Sequence, residues 1–252
     1  MVTKVKTAAE IANMRVSGRL LAQVLQYIKP LVVPGITTKE IADQANAKLI
    51  DLEPKAKHAF LGYQGFPDVI CISVNDEVVH GIPGDYVVQD GDIVGLDYGV
   101  SYNGMITDAA ISVIAGRAKQ KGHIDLLKRT EDALNAGIFA VQDRVRTGTI
   151  GAAVEASLAR YPYGIVKDLV GHGVGHHVHE DPNIPNVGRA NTGPWLDAGM
   201  TIAIEPMVTL GTDHVYIADD GWTIHTKDGS LAAHFEHTVL ITATGAEILT
   251  QV

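Results

Sequence analysis

Residues 93–114 read IVGLDYGVSYNGMITDAAISVI, two apolar stretches on either side of Asn103-Gly104. A two-residue Asn-Gly loop is typical of a β-hairpin with a type I′ turn, because both central residues must take positive φ. Such a turn fixes the register of the strands, so that Asp97 should lie opposite Ala110. The stretch therefore predicts an antiparallel hairpin whose facing residues can be read from the sequence.

The predicted hairpin brings two acids together. Asp108 should lie opposite Gly99, so that Asp97 and Asp108 share one face as diagonal neighbours, with Cβ atoms roughly 7 Å apart or less. Two carboxylates so close repel each other, and an apolar setting makes each charge expensive. Gly99, opposite Asp108, leaves space where a side chain would stand, and a cation between the two acids would resolve the repulsion. The hairpin alone equally allows a solvent-facing surface with two unrelated acids, and a bulge at the turn would shift the register.

Three further candidate ligands occur later in the chain. One is a histidine flanked by glycines, and two are acids within apolar, strand-like stretches: His172, Glu205 and Glu236. Imidazole suits Mn, Fe, Co and Zn. With Asp97 and Asp108, these residues supply enough negative charge to offset two divalent cations, which sit ~3.5–4 Å apart in two-metal hydrolases. Taken singly, the histidine could be structural and each glutamate could be exposed on an alternating strand.

Capping signals and apolar spacing predict the helices. Thr7 and Thr37 each begin a capping box that opens a helix. A third helix carries apolar residues at helical spacing from Leu126 to Val145, and a fourth runs over about 149–160.

The order of these elements repeats. Helix, helix and strands occur in residues 7–114 and again in 124–242, with Gly35 and Gly148 at matching places between the helices. In each half a glycine also stands six residues before an acid that ends an apolar strand, in the pairs Gly91 and Asp97, Gly199 and Glu205. The repeat predicts two related αβ halves that share one core. No Ser/Gly-rich linker separates them, so residues 1–252 are expected to form one domain.

The composition excludes several classes of protein. Apolar residues make up 46% and charged residues 19%, which is enough to build a globular core. A net charge of −9 disfavours nucleic acid as a partner. The single cysteine, Cys71, allows no internal disulfide, as expected in a reducing compartment. Neither a signal peptide nor an apolar run of ~20 residues occurs, so a cytoplasmic protein without membrane contact is expected.

Seven segments spread along the chain form a recognisable set: Ser73–Pro83, Leu96–Gly99, Thr107–Ala109, Gly171–Gly175, His179-Glu180, Ile204–Val208 and Glu236–Thr238. In their order and approximate spacing, they resemble the signature of type I methionine aminopeptidases over essentially the whole chain. The resemblance implies the pita-bread fold, an α+β fold with two pseudo-symmetric αβ halves around a curved antiparallel sheet. It also implies removal of the initiator methionine from nascent proteins whose second residue is small.

A dinuclear metal centre is implied by the same resemblance, with two divalent ions (Co, Mn, Fe or Zn). Its ligands would be Asp97, Asp108, His172, Glu205 and Glu236. In the family's arrangement Asp108 and Glu236 bridge the ions, Asp97 holds one ion, and His172 with Glu205 holds the other. Glu205 would also shuttle protons.

Two other histidines are implied to act on the substrate. His179 would hydrogen-bond the scissile carbonyl or the tetrahedral oxyanion, and His80 the amide on the leaving side. A donor aimed at developing charge contributes roughly 3–4 kcal/mol. Without the family each would be taken for a structural histidine. No role is assigned to three further histidines: His176, His177 and His237.

A methionine pocket is implied by position, and its residues are Phe60, Tyr63, Phe66, Cys71, Val178 and Trp222. A polarisable thioether packs well on aromatic edges. The residues alone would favour an ordinary core. Phe60, Phe66 and Val178 stand where the bacterial pattern usually has Cys, Tyr and Phe, which puts the detailed shape of the pocket in doubt but not the chemistry.

Two rival functions remain open on the same fold. One is a proline-specific peptidase, which usually carries an additional N-terminal domain. The other is a non-catalytic binding protein, which typically loses metal ligands. The short form of the chain agrees better with a bacterial type I enzyme, a monomer that acts on nascent polypeptides in the cytoplasm and at the ribosome.

Overall fold

The computed structural model describes residues 3–252, and within them the chain forms four α-helices and a set of mostly short strands. The helices are α1 (Ala8–Ile28), α2 (Thr38–Leu52), α3 (Lys121–Phe139) and α4 (Thr147–Leu158), with 3₁₀ turns at Lys29–Leu31 and Tyr63–Gly65. The strands of the first half are β1 (Lys57–His58), β2 (Cys71–Val74), β3 (Glu77–Val79), β4 (Ile93–Tyr102) and β5 (Met105–Ile114). Those that follow are β6 (Val145–Arg146), β7 (Gly164–Ile165), β8 (Gly171–Gly173), β9 (Glu180–Ile184), β10 (Trp195–Leu196), β11 (Thr201–Ile204), β12 (Met207–Thr209), β13 (Val215–Ile217), β14 (Ile224–Thr226), β15 (Ala232–His234), β16 (His237–Thr242) and β17 (Gly245–Ile248).

Both predicted capping boxes are confirmed. The Thr7 side chain accepts from the Glu10 N–H, while the Glu10 carboxylate accepts from the Thr7 N–H, and Thr37 and Glu40 do the same for α2. These paired bonds satisfy backbone donors that have no partner within the helix, so α1 and α2 begin where the sequence predicted.

The predicted boundary between the third and fourth helices was wrong. α3 ends at Phe139, Val145 lies on strand β6, and α4 already begins at Thr147. Gly148 is therefore in the first turn of α4 rather than between the helices. A Cβ there would lie 2.6 Å from the carbonyl oxygen of Arg189, so close packing explains this glycine.

Each half packs helices against its own strands. In the first half, Leu21 of α1 and Ile41 of α2 are fully buried in a cluster with Leu96 of β4. In the second, Ile150 of α4 is buried in a cluster with Ile202 of β11. Every strand pairing within residues 3–252 is antiparallel, and β4 pairs with β5, β2 and β1 while β11 pairs with β16 and β8.

The two halves meet along β5 and residues 234–238. At the centre of this seam Ala110 and Glu236 exchange backbone hydrogen bonds of 3.3 and 2.9 Å. On one side the Thr238 hydroxyl bridges the N–H and C=O of Asp108, at 2.9 and 2.8 Å. On the other side the Ser112 hydroxyl bridges the N–H and C=O of His234, at 3.0 and 2.9 Å. One hydroxyl comes from each half, so the seam has an approximate two-fold arrangement about the Ala110–Glu236 pair.

No helix among residues 3–252 combines the length and the apolarity that a bilayer crossing requires.

Candidate metal centre

The β4–β5 hairpin has the predicted register, with Asp97 opposite Ala110 and Asp108 opposite Gly99. Asn103 and Gly104 take φ of 48° and 80°, as a type I′ turn requires. Asp97 and Asp108 therefore share one face, and both carboxyl groups line a single cavity. The alternative of two unrelated acids on a solvent-facing hairpin is wrong, because the Asp108 residue is only 4% exposed.

The space beside Gly99 is filled by an aromatic ring. A Cβ at Gly99 would lie 2.6 Å from Cε1 of Phe60. The glycine therefore makes room for Phe60, which lines the same cavity as the acids.

His172 enters the cavity from β8. Its Nδ1 donates to the carbonyl oxygen of Gly173 at 2.9 Å, and its Nε2 lies 3.4 Å from Oε1 of Glu205. Burial lowers the pKa of His172 to about 3, so the imidazole is neutral at physiological pH. In a neutral ring whose proton is on Nδ1 and is donated to a carbonyl, Nε2 carries a free lone pair. This is the tautomer that binds a metal ion through Nε2.

Glu205 and Glu236 lie at an interruption in a second long hairpin. Ile204 of β11 pairs with His237 of β16, and Met207 of β12 pairs with His234 of β15. The register is the same on both sides of the interruption, so Glu205 lies opposite Glu236. Ligand atoms of Asp108, His172 and Glu236 lie within 4.8 Å of one another.

Burial is the main cause of a raised pKa in all four acids. It raises the pKa of Asp97 to about 6 and that of Glu205 to about 8. Burial, followed by the charges of neighbouring acids, raises the pKa values of Asp108 and Glu236 well above their ordinary range. One buried oxygen each of Asp97, Asp108 and Glu236 finds no hydrogen-bond partner within the described chain. Divalent cations would both neutralise these acids and satisfy the oxygens, so the residues fit a metal centre.

Apolar side chains line the same cavity as the acids, and its volume is about 130 Å³. Cavities of ~150 Å³ take up a molecule the size of benzene, so this one accommodates a single side chain. The predicted pocket residues that line it are Phe60, Tyr63, Phe66, Cys71 and Trp222. Val178 is buried in the same apolar cluster but is not among the lining residues of the described chain.

His80 and His179 line the cavity at the metal centre. The rings of His179 and His172 are in edge contact, with centroids 4.3 Å apart, and Nδ1 of His179 lies 3.0 Å from the Tyr63 hydroxyl. His80 has a left-handed φ of 61° and packs against Trp222 with centroids 6.5 Å apart. Burial lowers the pKa of His179 and lowers that of His80 to about 4, so both rings are neutral at physiological pH.

The loop that carries His179 is tied to the N-terminal segment. Glu180 accepts from the backbone N–H groups of His176 and His177, at 2.8 and 3.0 Å. Its other oxygen lies 3.3 Å from the buried ammonium group of Lys6. The His176 side chain hydrogen-bonds Glu10, and that of His237 contacts the Thr250 hydroxyl, both at 2.8 Å. The side chains of His176 and His237 and the backbone of His177 thus contribute to the support of loops and strands around the cavity.

The comparisons with known proteins agree with this geometry. The model of metallopeptidase family M24 matches residues 12–243. A methionine aminopeptidase of Mycoplasma capricolum is 42% identical, with 98% of each chain covered, and methionine aminopeptidase 1 of Bacillus subtilis has the same identity and coverage. The crystal structure of methionine aminopeptidase from Thermotoga maritima superposes with a TM-score of 0.96 at 40% identity, covering 100% of both chains. The chain belongs to the methionine aminopeptidases of metallopeptidase family M24.

Membership among the methionine aminopeptidases confirms two predictions from the sequence, the type I resemblance and the pita-bread fold. A metallopeptidase needs ligands for its metal, and this chain supplies buried groups of Asp, His and Glu side chains that could hold an ion.

Sequence reasoning missed one residue that lines the cavity and one buried histidine beside its acids. Gln64 lines it from a left-handed turn with φ of 49°. His234 is 4% exposed, and its Nε2 lies 3.6 Å from Oε2 of Glu205 and 3.9 Å from Oε2 of Glu236. Its position two residues before Glu236, which puts both side chains on one face of a strand, was the available signal.

Proposed function

We propose that this enzyme hydrolyses the peptide bond after an N-terminal methionine when the second residue is small. The observation that carries the proposal is the cavity itself. Candidate ligands for metal ions line it together with aromatic residues and Cys71, and it has the size of one side chain. The chain matches methionine aminopeptidases over 98% or more of its length, which supports methionine as the residue that is removed.

The metal centre would be held by Asp97, Asp108, His172, Glu205 and Glu236. We assign Asp108 and Glu236 as bridging ligands, Asp97 to one ion, and His172 with Glu205 to the other. Two divalent ions, of Co, Mn, Fe or Zn, would supply a water acidified enough to attack at neutral pH. The unpartnered buried oxygens and the raised pKa values of the four acids support this assignment.

Glu205 is the proposed proton carrier. Oε1 of its carboxyl group lies 3.4 Å from Nε2 of His172, and the side chain lines the cavity. It would take the proton of the attacking water and deliver it to the leaving amine.

His179 is the proposed donor to the scissile carbonyl. Its Nδ1 accepts from the Tyr63 hydroxyl in this assignment, so a neutral ring carries its proton on Nε2 and can donate it. His80 would hydrogen-bond the amide on the leaving side. Tyr63 thereby acquires a second role besides lining the pocket, since it selects the tautomer of His179.

The methionine side chain would lie against Phe60, Tyr63, Phe66, Cys71 and Trp222, with Val178 buried beside them. Phe66 and Trp222 meet edge to face, with centroids 5.2 Å apart. Sulfur contacts with aromatic edges contribute ~0.3–1.5 kcal/mol, which favours a thioether over a branched aliphatic chain.

We also propose that residues 1–252 form one catalytic domain of two related halves, working as a monomer. The N-termini of nascent polypeptides are its proposed partners, in the cytoplasm and at the ribosome, without direct binding to nucleic acid. The net charge of −9 supports the last point.

A peptide panel tests the function. Met-X-Ser peptides with varied X, assayed with Mn, Fe, Co and Zn, should be cleaved for small X and resist cleavage when X is large. Matched Leu-X-Ser peptides are the control for the pocket. Faster turnover of an Xaa-Pro peptide would identify a proline-specific peptidase instead. Metal-loaded protein that binds RNA and cleaves no methionyl peptide would identify a binding protein.

A further inference from the structure

His234 is a buried histidine in the centre that the proposed ligand set does not use. Its Nε2 finds no hydrogen-bond partner within residues 3–252. Ligand atoms of Glu205, His234 and Glu236 nevertheless all lie within 4.8 Å of one another. An imidazole nitrogen that is buried, aimed at two carboxylates and unpartnered is in the situation of a metal ligand.

The internal symmetry of the fold gives His234 a counterpart. Gly91 and Gly199 both take left-handed φ, 84° and 90°, just before β4 and β11. Each donates its N–H to the far strand of its own hairpin, to Ala115 at 2.7 Å and to Ile241 at 2.8 Å. The two hairpins therefore start in the same way, and residues at equal distances from these glycines correspond.

Six residues after these two glycines stand Asp97 in the first half and Glu205 in the second, so these two acids correspond. Asp97 lies opposite Ala110, and Glu205 lies opposite Glu236. Two residues before Ala110 and Glu236 stand Asp108 and His234. His234 therefore occupies in the second hairpin the place that Asp108, a proposed bridging ligand, occupies in the first.

The backbone of His234 is fixed from both sides. Met207 pairs with it across β12 and β15, and the Ser112 hydroxyl bridges its N–H and C=O across the seam. The equivalent seam bond on Asp108 comes from Thr238. The backbones of Asp108 and His234 are thus held by hydrogen bonds at corresponding positions of the two hairpins. Such support keeps a ligand in position before the ion binds.

We propose that His234 Nε2 is a sixth protein ligand of the metal centre, binding an ion together with Glu205 and Glu236. Two neighbouring ligands ~2.1 Å from one five-coordinate ion lie about 3.0–3.6 Å apart, so gaps of 3.6 and 3.9 Å need only small adjustments. The centre then has imidazoles on both sides of Glu205, from His172 and His234. Nitrogen in place of an oxygen ligand favours Zn, Co and Fe over Mn.

The proposal rests on the proposed metal centre, and its test separates the two. X-ray absorption of the wild-type protein loaded with two equivalents of Zn(II) should show two imidazoles per pair of ions. His234→Gln should show one. His237→Gln, on the same segment but bonded to Thr250, and His179→Gln, within the cavity, are matched controls that should keep both.

Calorimetric titration of the metal-free proteins adds a second readout. His234→Gln should lose about 10–100-fold in affinity for Zn(II) and Co(II), the range typical when support of a metal site is removed, and less for Mn(II). One imidazole in the wild type would overturn the proposal, as would a second imidazole that persists in His234→Gln or disappears in His179→Gln. If His234→Gln fails to fold, the wild-type and His179→Gln spectra decide. A wild type that binds no divalent ion would contradict the metal centre itself.

Discussion

The two long hairpins of the molecule hold corresponding acids, but they differ in how their strands are joined. β4 and β5 run without interruption and are connected by the two residues Asn103 and Gly104. The second hairpin is interrupted at Glu205 and Glu236, and the connection from β12 to β15 includes the strands β13 and β14. The corresponding acids are therefore positioned by a short local turn in the first hairpin and across a long connection in the second.

The difference shows where register information lies. A two-residue turn sets the register of its strands by its own dihedral angles, which the sequence of the turn reveals. A long connection does not fix the register of the strands that it joins, so the register of the second hairpin depends on the packing of the whole half. The first hairpin is locally determined, and the second is determined by tertiary structure.

The largest expected effect comes from removing a bridging ligand of either hairpin. Asp108→Ala and Glu236→Ala should each abolish both metal loading and peptidase activity, because each carboxylate is proposed to bind both ions. Metal content by elemental analysis and turnover of a Met-Ala peptide are the measurements. Asp51→Ala, whose side chain is exposed on α2, is the matched control and should retain both.

The two variants also test the comparison of the hairpins. If Glu236→Ala keeps two ions while Asp108→Ala keeps none, Glu236 does not bridge. The second hairpin would then contribute to the centre in a different way from the first.

The sequence predicted some parts of the fold to the residue and missed others. The hairpin register and both capping boxes were correct to the residue, because each depends on residues close together in the chain. The end of α3 was missed because no glycine or proline marks it. The chain turns through Arg144 with φ of 61°, and the apolar spacing of Val141 and Val145 continues past the helix.

In the site, the closeness of Asp97 and Asp108 followed from the hairpin. Glu205 and Glu236 were candidates from their apolar, strand-like settings, but only the family resemblance assigned them as ligands. His234 lay outside the motifs of that resemblance and was missed. Its position becomes meaningful only when it is compared with Asp108 across the seam, and the sequence alone does not give that alignment. The side chain that fills the space beside Gly99 was not predicted for a similar reason, since Phe60 reaches it from a distant loop.

The next largest effect separates the two histidines of the substrate path. His179→Ala should retain metal and lose about 10²–10³-fold in turnover, the loss typical for a donor to an oxyanion. His80→Ala should lose less, because its proposed hydrogen bond is to the leaving side. Steady-state kinetics with matched metal content measure both. Loss of metal in His179→Ala would show that this residue is a ligand and not a donor.

A smaller effect is expected at the seam between the hairpins. Thr238→Val and Ser112→Ala each leave a buried N–H and C=O without the hydroxyl that bridges them. Each should lower the free energy of unfolding by about 1–3 kcal/mol. Chemical denaturation measures the change, with Thr130→Val as the control, because its hydroxyl donates only to the Leu126 carbonyl within α3.

Metal affinity sharpens this test. Thr238→Val should weaken metal binding through Asp108, and Ser112→Ala should weaken it through His234. Variants that are destabilised equally but differ in metal affinity would show that only one side of the seam positions a ligand.

The last expected effect concerns stability rather than activity, and it involves Asp97 and Glu205, the corresponding acids of the two hairpins, in the metal-free protein. Burial raises the pKa of Asp97 to about 6 and that of Glu205 to about 8, while unfolded Asp and Glu titrate near ~4. Between these values the folded chain binds more protons than the unfolded chain. Its stability is therefore greatest below pH ~4 with respect to these groups and falls as the pH rises through 6 and then 8.

Thermal unfolding of the metal-free protein should show this decrease as a progressive loss in Tm between pH 5 and 8. Asp97→Asn should reduce the slope of the curve between pH 5 and 6, and Glu205→Gln should reduce it over the whole interval from pH 5 to 8. Metal-loaded protein is the control and should not lose stability in this interval, because bound cations keep the acids ionised at every pH within it. A metal-free Tm that stays level or rises would mean that the two acids are already ionised when buried. Their environments in the two hairpins would then have to contain a compensating positive charge.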